Sequence, residues 1–142
     1  MPSLFEVQRS FGWVACWSGF IVAFPALQSN LLLYLFGIPF ERSIKHHRMM
    51  GRWFWIFQTI HFILALTSFD LMTLISNFDA PVKPVFVSYG FGFLTWVIST
   101  IVALTSLNVV RRKCWEVFYY THYILTKMVY LLGKLKFVFF AP

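Results

Sequence analysis

Four long apolar runs dominate this chain, and the short connections between them carry most of its charge. The runs are Phe11–Phe36, Ile44–Phe69, Val85–Val110 and Trp115–Gly133. A helix needs about 20 mostly apolar residues to cross a hydrocarbon core about 30 Å thick. Four crossings would use about 80 to 100 residues, and the chain has 142. The pattern predicts an all-α fold: an integral membrane bundle of about four transmembrane helices, with no room for a soluble domain. Composition agrees, with 59% hydrophobic and only 12% charged residues, against about 25% charged in an average soluble domain. In the first run, Pro25 and the polar stretch Gln28 to Asn30 predict a kink or break.

The net charge of +7 is not spread evenly. Seven of the twelve basic residues lie in two stretches, "ERSIKHHRMMGR" (Arg42, Lys45, Arg48, Arg52) and "RRKCWE" (Arg111, Arg112, Lys113). The intervening connection "SFDLMTLISNFDAPVKP" sets Asp70 and Asp79 against Lys83. Basic loops face the cytosol, so the second and fourth helices are expected to run outward, parallel to each other, and the first and third to run back. Clusters of this kind orient helices, and membrane lipid rather than nucleic acid is the expected partner. Cys16 and Cys114 lack any C-x-x-C neighbour, so neither a disulfide framework nor a zinc site is expected. The start, "MPSLFEVQRSFGW", has no cleavable signal pattern, and the first span is expected to be retained.

All four histidines fall on the two parallel helices: His46, His47 and His61 on the second, His122 on the fourth. Fourteen residues separate His47 from His61. On a helix that interval turns about 1400°, about 40° short of four turns, and rises about 21 Å. The two therefore share one face at two depths, whereas His46 lies about 60° away from His61 and is read as an interfacial, hydrogen-bonded side chain. Ionisable groups within membrane helices usually face a bundle interior, a cavity or a cofactor. Imidazole is a common haem ligand, and His47 and His122, each just after a basic stretch, are plausible partners for one iron. Spacing alone leaves open a proton-handling channel or transporter, and ordinary hydrogen-bonded histidines. "GFG" at Gly90 to Gly92 is read as close helix packing rather than a phosphate loop.

The motif "FERSIKHHRMMGRWFWIFQTIHF" resembles the ferric reductase and NADPH oxidase transmembrane family. There a histidine–arginine pair is followed by glycine–arginine and then by a second histidine fourteen residues after the first; here these are His47, Arg48, Gly51, Arg52 and His61. The stretch "LTSLNVVRRKCWEVFYYTHYIL" is similar to the family's fourth-helix motif through Arg111, Arg112, Glu116, Phe118, Tyr120, Thr121 and His122. The resemblance runs from about residue 11 to 133, and the domain is drawn as residues 11–136, a partial ferric-reductase-like transmembrane domain. It implies a bundle carrying b-type haem for transmembrane electron transfer, in a plasma membrane. His47 and His122 would hold the cytosol-side haem and His61 the outer one, with Arg48, Arg52, Arg111 and Arg112 available to haem propionates through bidentate pairing.

The family pattern also asks for a second fourth-helix histidine thirteen or fourteen residues beyond His122, where this chain has Leu135 and Lys136. One haem b is therefore expected, and two only if another outer ligand exists. FAD and NADPH would enter only through a missing or separate domain, or a flavin-containing reductase partner, because no glycine-rich phosphate loop is present. The competing expectations are a non-catalytic membrane protein with one haem or none, and a small transporter or channel.

Overall fold

The structure, a computed structural model, describes residues 3–23, 35–76 and 89–138, with side chains given up to residue 132 in the last segment. Every regular element among them is helical. In chain order these are α1 (Leu4–Ala23), α2 (Phe40–Ser68), α3 (Leu71–Ser76), α4 (Tyr89–Thr105), α5 (Asn108–Lys113) and α6 (Trp115–Val138). They fall into two units, Met1–Leu64 and Ala65–Pro142.

In the first unit α1 begins earlier than its apolar run, and the reason is a capping box in "SLFE". Ser3 N–H donates to Glu6 Oε2 at 2.8 Å and Glu6 N–H donates to Ser3 Oγ at 3.3 Å, so two orphan helix-start amides are satisfied reciprocally. α2 likewise starts before Ile44, because the Pro39 carbonyl accepts the Arg42 and Ser43 amides at 3.0 and 3.1 Å. Arg42, Lys45, Arg48 and Arg52 therefore sit on helix, not in the loop that their charge predicts.

The contact between α1 and α2 is built on small residues. A Cβ on Gly12 would lie 2.9 Å from His61 Cε1, and one on Gly19 would lie 2.9 Å from Phe54 Cε2. Gly12 and Gly19 are seven residues apart, as are Phe54 and His61, and Phe54 lies seven after His47. A seven-residue period is what keeps one seam of a helix against a packed neighbour, and the glycines on that seam leave room for the His61 and Phe54 rings. The glycine of the second-helix motif behaves differently, since nothing lies within 4 Å of a Cβ placed on Gly51.

In the second unit α4 packs along α6, and the chain turns between them through α5. Leu107, extended at φ −58° and ψ 143°, separates α4 from α5, and Cys114 at φ −132° and ψ 63° separates α5 from α6. The "RRK" stretch is thus the last turn of a short helix, where cations complement the negative end of the helix dipole. α4 keeps its hydroxyls inside the helix: Thr95 bonds the Phe91 carbonyl at 2.7 Å, Thr100 that of Trp96 at 2.8 Å, and Ser106 that of Val102 at 2.6 Å. Such back-bonding satisfies a hydroxyl without water or another helix. α3 occupies part of the connection expected to be loop, and Phe69 and Tyr89 on either side of it pack as a tilted pair with ring centroids 4.6 Å apart.

Burial is distributed unlike that of a soluble domain. The buried apolar residues among those described are Ala15, Ala65, Leu74 and Ile98, together with the polar Gln8, Ser18, Ser43 and Ser99. Large side chains such as Trp13, Trp17, Phe20, Ile63 and Leu131 are exposed, Trp17 by 63%.

Of the expected bundle the described residues bear out the helices; among them none is long and apolar enough to cross a membrane. α4 is the most apolar but has 17 residues, about 25 Å of helix. α2 has 29 residues, but its first half holds Glu41, Arg42, Lys45, Arg48 and Arg52. α6 carries Glu116, Lys127, Lys134 and Lys136. The break expected at Pro25 and Gln28 to Asn30, the first residues of the third run, and Asp79 and Lys83 all lie outside the described residues. The side chains of Leu135 and Lys136 also lie outside them, although α6 itself continues to Val138.

Candidate functional site

His47 and His61 of α2 both face α1. His47 and His61 are half-buried, whereas His46 is exposed. His47 Nδ1 lies 2.9 Å from the Val22 main-chain oxygen, and His61 Nδ1 lies 2.7 Å from that of Gln8. A carbonyl oxygen can only accept, so in each ring Nδ1 carries a proton and donates it. In the neutral imidazole the lone pair is then on Nε2. Val22 and Gln8 are themselves fourteen residues apart, so the interval between the histidines is repeated in the carbonyls that hold them.

His122 reaches the same state by another route. Its Nδ1 lies 3.1 Å from Ser106 Oγ, and that hydroxyl donates to the Val102 carbonyl at 2.6 Å. Serine has a single hydroxyl proton, and here it is committed to Val102, so Ser106 accepts from His122 Nδ1–H. Phe118, one turn earlier on α6, packs against the His122 ring at 5.2 Å between centroids.

Three imidazoles in two separate units are therefore held as the Nδ1–H tautomer. That is the form of a histidine that binds a metal through Nε2 while its other nitrogen is anchored to a carbonyl or carboxylate. The buried side-chain polar atoms without a partner among the described residues are Gln8 Oε1 and Thr126 Oγ1. Gln8 holds His61 through its main chain, and Thr126 lies one turn beyond His122 on α6. A chelated metal ion has less to bind: among the described residues no three His, Cys, Asp or Glu side chains converge. Cys16 and Cys114 are free and exposed.

The arginines are less tightly placed. Arg48, Arg52 and Arg112 are exposed, and Arg111 Nη2 donates to Asn108 Oδ1 at 3.1 Å. On α6, Trp115, Tyr119 and Tyr123 stack at four-residue spacing, with centroids 6.5 and 6.2 Å apart. Lys127 Nζ continues the row by donating to Tyr123 Oη at 2.6 Å.

Sequence reasoning found the histidines but not their supports, Gly12, Gly19 and Ser106. A signal existed for the glycines, whose spacing of seven is half the interval between His47 and His61. For Ser106 there was none beyond a hydroxyl near the end of an apolar run.

Described residues that are helical in every regular element, with hydrogen-bonded histidines fourteen residues apart on one helix, define a class, and comparison with known proteins gives the family. The chain belongs to the family described as ferric reductase like transmembrane component, whose family model matches residues 11–133. It is 28% identical over 130 residues to ferric reduction oxidase 7, chloroplastic, of Arabidopsis thaliana, covering 87% of this chain and 16% of that one. It is 28% identical over 142 residues to ferric reduction oxidase 8, mitochondrial, of the same plant, covering 96% and 18%. Ferric reductase transmembrane component 6 of Saccharomyces cerevisiae (strain ATCC 204508 / S288c) is 29% identical over 111 residues, covering 78% and 15%. The chain thus spans 15 to 18% of the length of these relatives. No solved structure matches it.

Proposed function

We propose that this chain is a b-type haem segment of a transmembrane electron-transfer protein of the ferric reductase kind. The observation that carries the reading is the common Nδ1–H state of His47, His61 and His122, reached through three different acceptors in a chain of this family. His47 and His122 are the ligands assigned to the cytosol-side haem, and His61 is assigned to a second, outer one. Bound haem would supply one-electron transfer. The chain's own residues do the rest: main-chain carbonyls and Ser106 fix the ring tautomers, and Arg48, Arg52, Arg111 and Arg112 are the cations available to propionates.

The exposed tryptophans, phenylalanines and leucines with small residues buried between helices support an integral membrane setting, because so much exposed apolar surface needs a non-aqueous surround. Electron input is proposed to come from a flavin-containing reductase, as a domain or a partner, drawing on FAD and NADPH. The acceptor class proposed is ferric iron, after the names of the relatives. Plasma membrane is the residence proposed from the family resemblance, and imaging of a tagged chain tests it against chloroplast and mitochondrion.

The deciding experiment is a reduced-minus-oxidised optical spectrum of the protein purified after haem-replete expression. A b-type band is expected, lost in His47→Ala and in His122→Ala. A protein with no such band, or a band indifferent to both substitutions, would sink the reading.

A further inference from the structure

We infer that α1, which carries none of the proposed ligands, presets the outer histidine, and that Gly12 is the residue that allows it. The inference rests on the haem reading for its consequence but not for its geometry. A helical carbonyl points along the axis towards the residue four positions on, and for Gln8 that residue is Gly12. With only hydrogen at Gly12, the ring of His61 lies where a side chain would otherwise begin: an added Cβ would be 2.9 Å from Cε1 and 3.1 Å from Nδ1. The same opening brings Nδ1 to 2.7 Å from the Gln8 carbonyl. That oxygen already serves the helix, and its second lone pair accepts the imidazole proton.

Two consequences follow for a histidine that is to bind iron. Its tautomer is chosen before any ligand arrives, since Nδ1 carries the proton, and its ring is held by a short bond to a main-chain atom that no side-chain substitution can delete. Outer partners of this kind typically change metal affinity by about 10- to 100-fold when lost. Gly12 is therefore a positioning residue acting through Gln8 and His61. His47 supplies an internal reference, because it makes the equivalent bond to Val22 at 2.9 Å on the same helix pair.

The test uses the full chain labelled with 15N-histidine, reconstituted in lipid nanodiscs without added haem, with ring-nitrogen shifts assigned by single histidine substitutions. His61 is expected as the Nδ1–H tautomer in the unaltered chain. Gly12→Ala is expected to abolish that signature at His61 while leaving His47 unchanged, and to lower haem affinity by about 10- to 100-fold on titration. An Nε2–H tautomer at His61 in the unaltered chain overturns the inference, as does an unchanged Nδ1–H signal in Gly12→Ala. If both histidines change in the variant, the helix pair has separated, and the tautomer in the unaltered chain then decides alone. A correct tautomer in a chain that takes up no haem keeps this inference and removes the functional reading, so the two failures are distinct.

Discussion

The two units hold their histidines in one chemical state by unlike means. In the first, His47 and His61 of α2 donate to main-chain carbonyls of a different helix, and glycines on α1 make room for the His61 and Phe54 rings. In the second, His122 of α6 donates to a hydroxyl just past α4, which itself donates a hydrogen bond to a carbonyl one turn back. A carbonyl acceptor fixes the donor without ambiguity and is removed only by moving a helix. A serine relay gives the same result only while its proton is committed elsewhere, and one substitution deletes it. The first arrangement therefore resists point changes at the acceptor but is vulnerable on its glycine seam, and the second is the reverse.

That contrast can be broken from either side. The largest effect is expected at the seam. Gly19→Ala puts a Cβ 2.9 Å from the Phe54 ring, and overpacking of this kind costs about 1 to 3 kcal/mol. Gly19 lies between the two anchored histidines, so the thermal midpoint should fall and the ring-nitrogen signals of His47 and His61 should both move, with His122 unaffected. Ser106→Ala should act the other way round. It leaves the Nδ1–H of His122 without its acceptor, a loss of about 1 to 3 kcal/mol if the site stays dry, and mixes the tautomers of His122 alone. A change at His61 in that variant would show that the two units do not fix their histidines independently. The smallest effect is expected at the motif glycine. A Cβ on Gly51 meets nothing, and alanine is the better helix former by up to about 1 kcal/mol. Gly51→Ala should therefore raise the thermal midpoint slightly and move no histidine signal.

Helices were legible because periodicity and composition are local. The four apolar runs correspond to α1, α2, α4 and α6, and each boundary that moved did so for a short-range reason: the Ser3–Glu6 box, the Pro39 carbonyl, the turns at Leu107 and Cys114. Charge misled about loops, since Arg42 to Arg52 and Arg111 to Lys113 are helical. Hydropathy located the helices, while among the described residues none is long and apolar enough to cross a membrane. Within the described part of the third run, the chain is divided near Leu107 between α4 and α5.

The sequence alone determined the helical class, the family, and the fourteen-residue interval that sets His47 and His61 on one face, because all three are written in residue identities and their spacing along one helix. Only the tertiary structure decided what those histidines touch. Their acceptors at Val22 and Gln8 are main-chain oxygens, chemically alike at every position, so no letter of the sequence marks them. Which carbonyl an imidazole meets depends on how two helices pack, and here Gly12 and Gly19 leave the space that the His61 and Phe54 rings fill, where a Cβ would lie 2.9 Å from each ring.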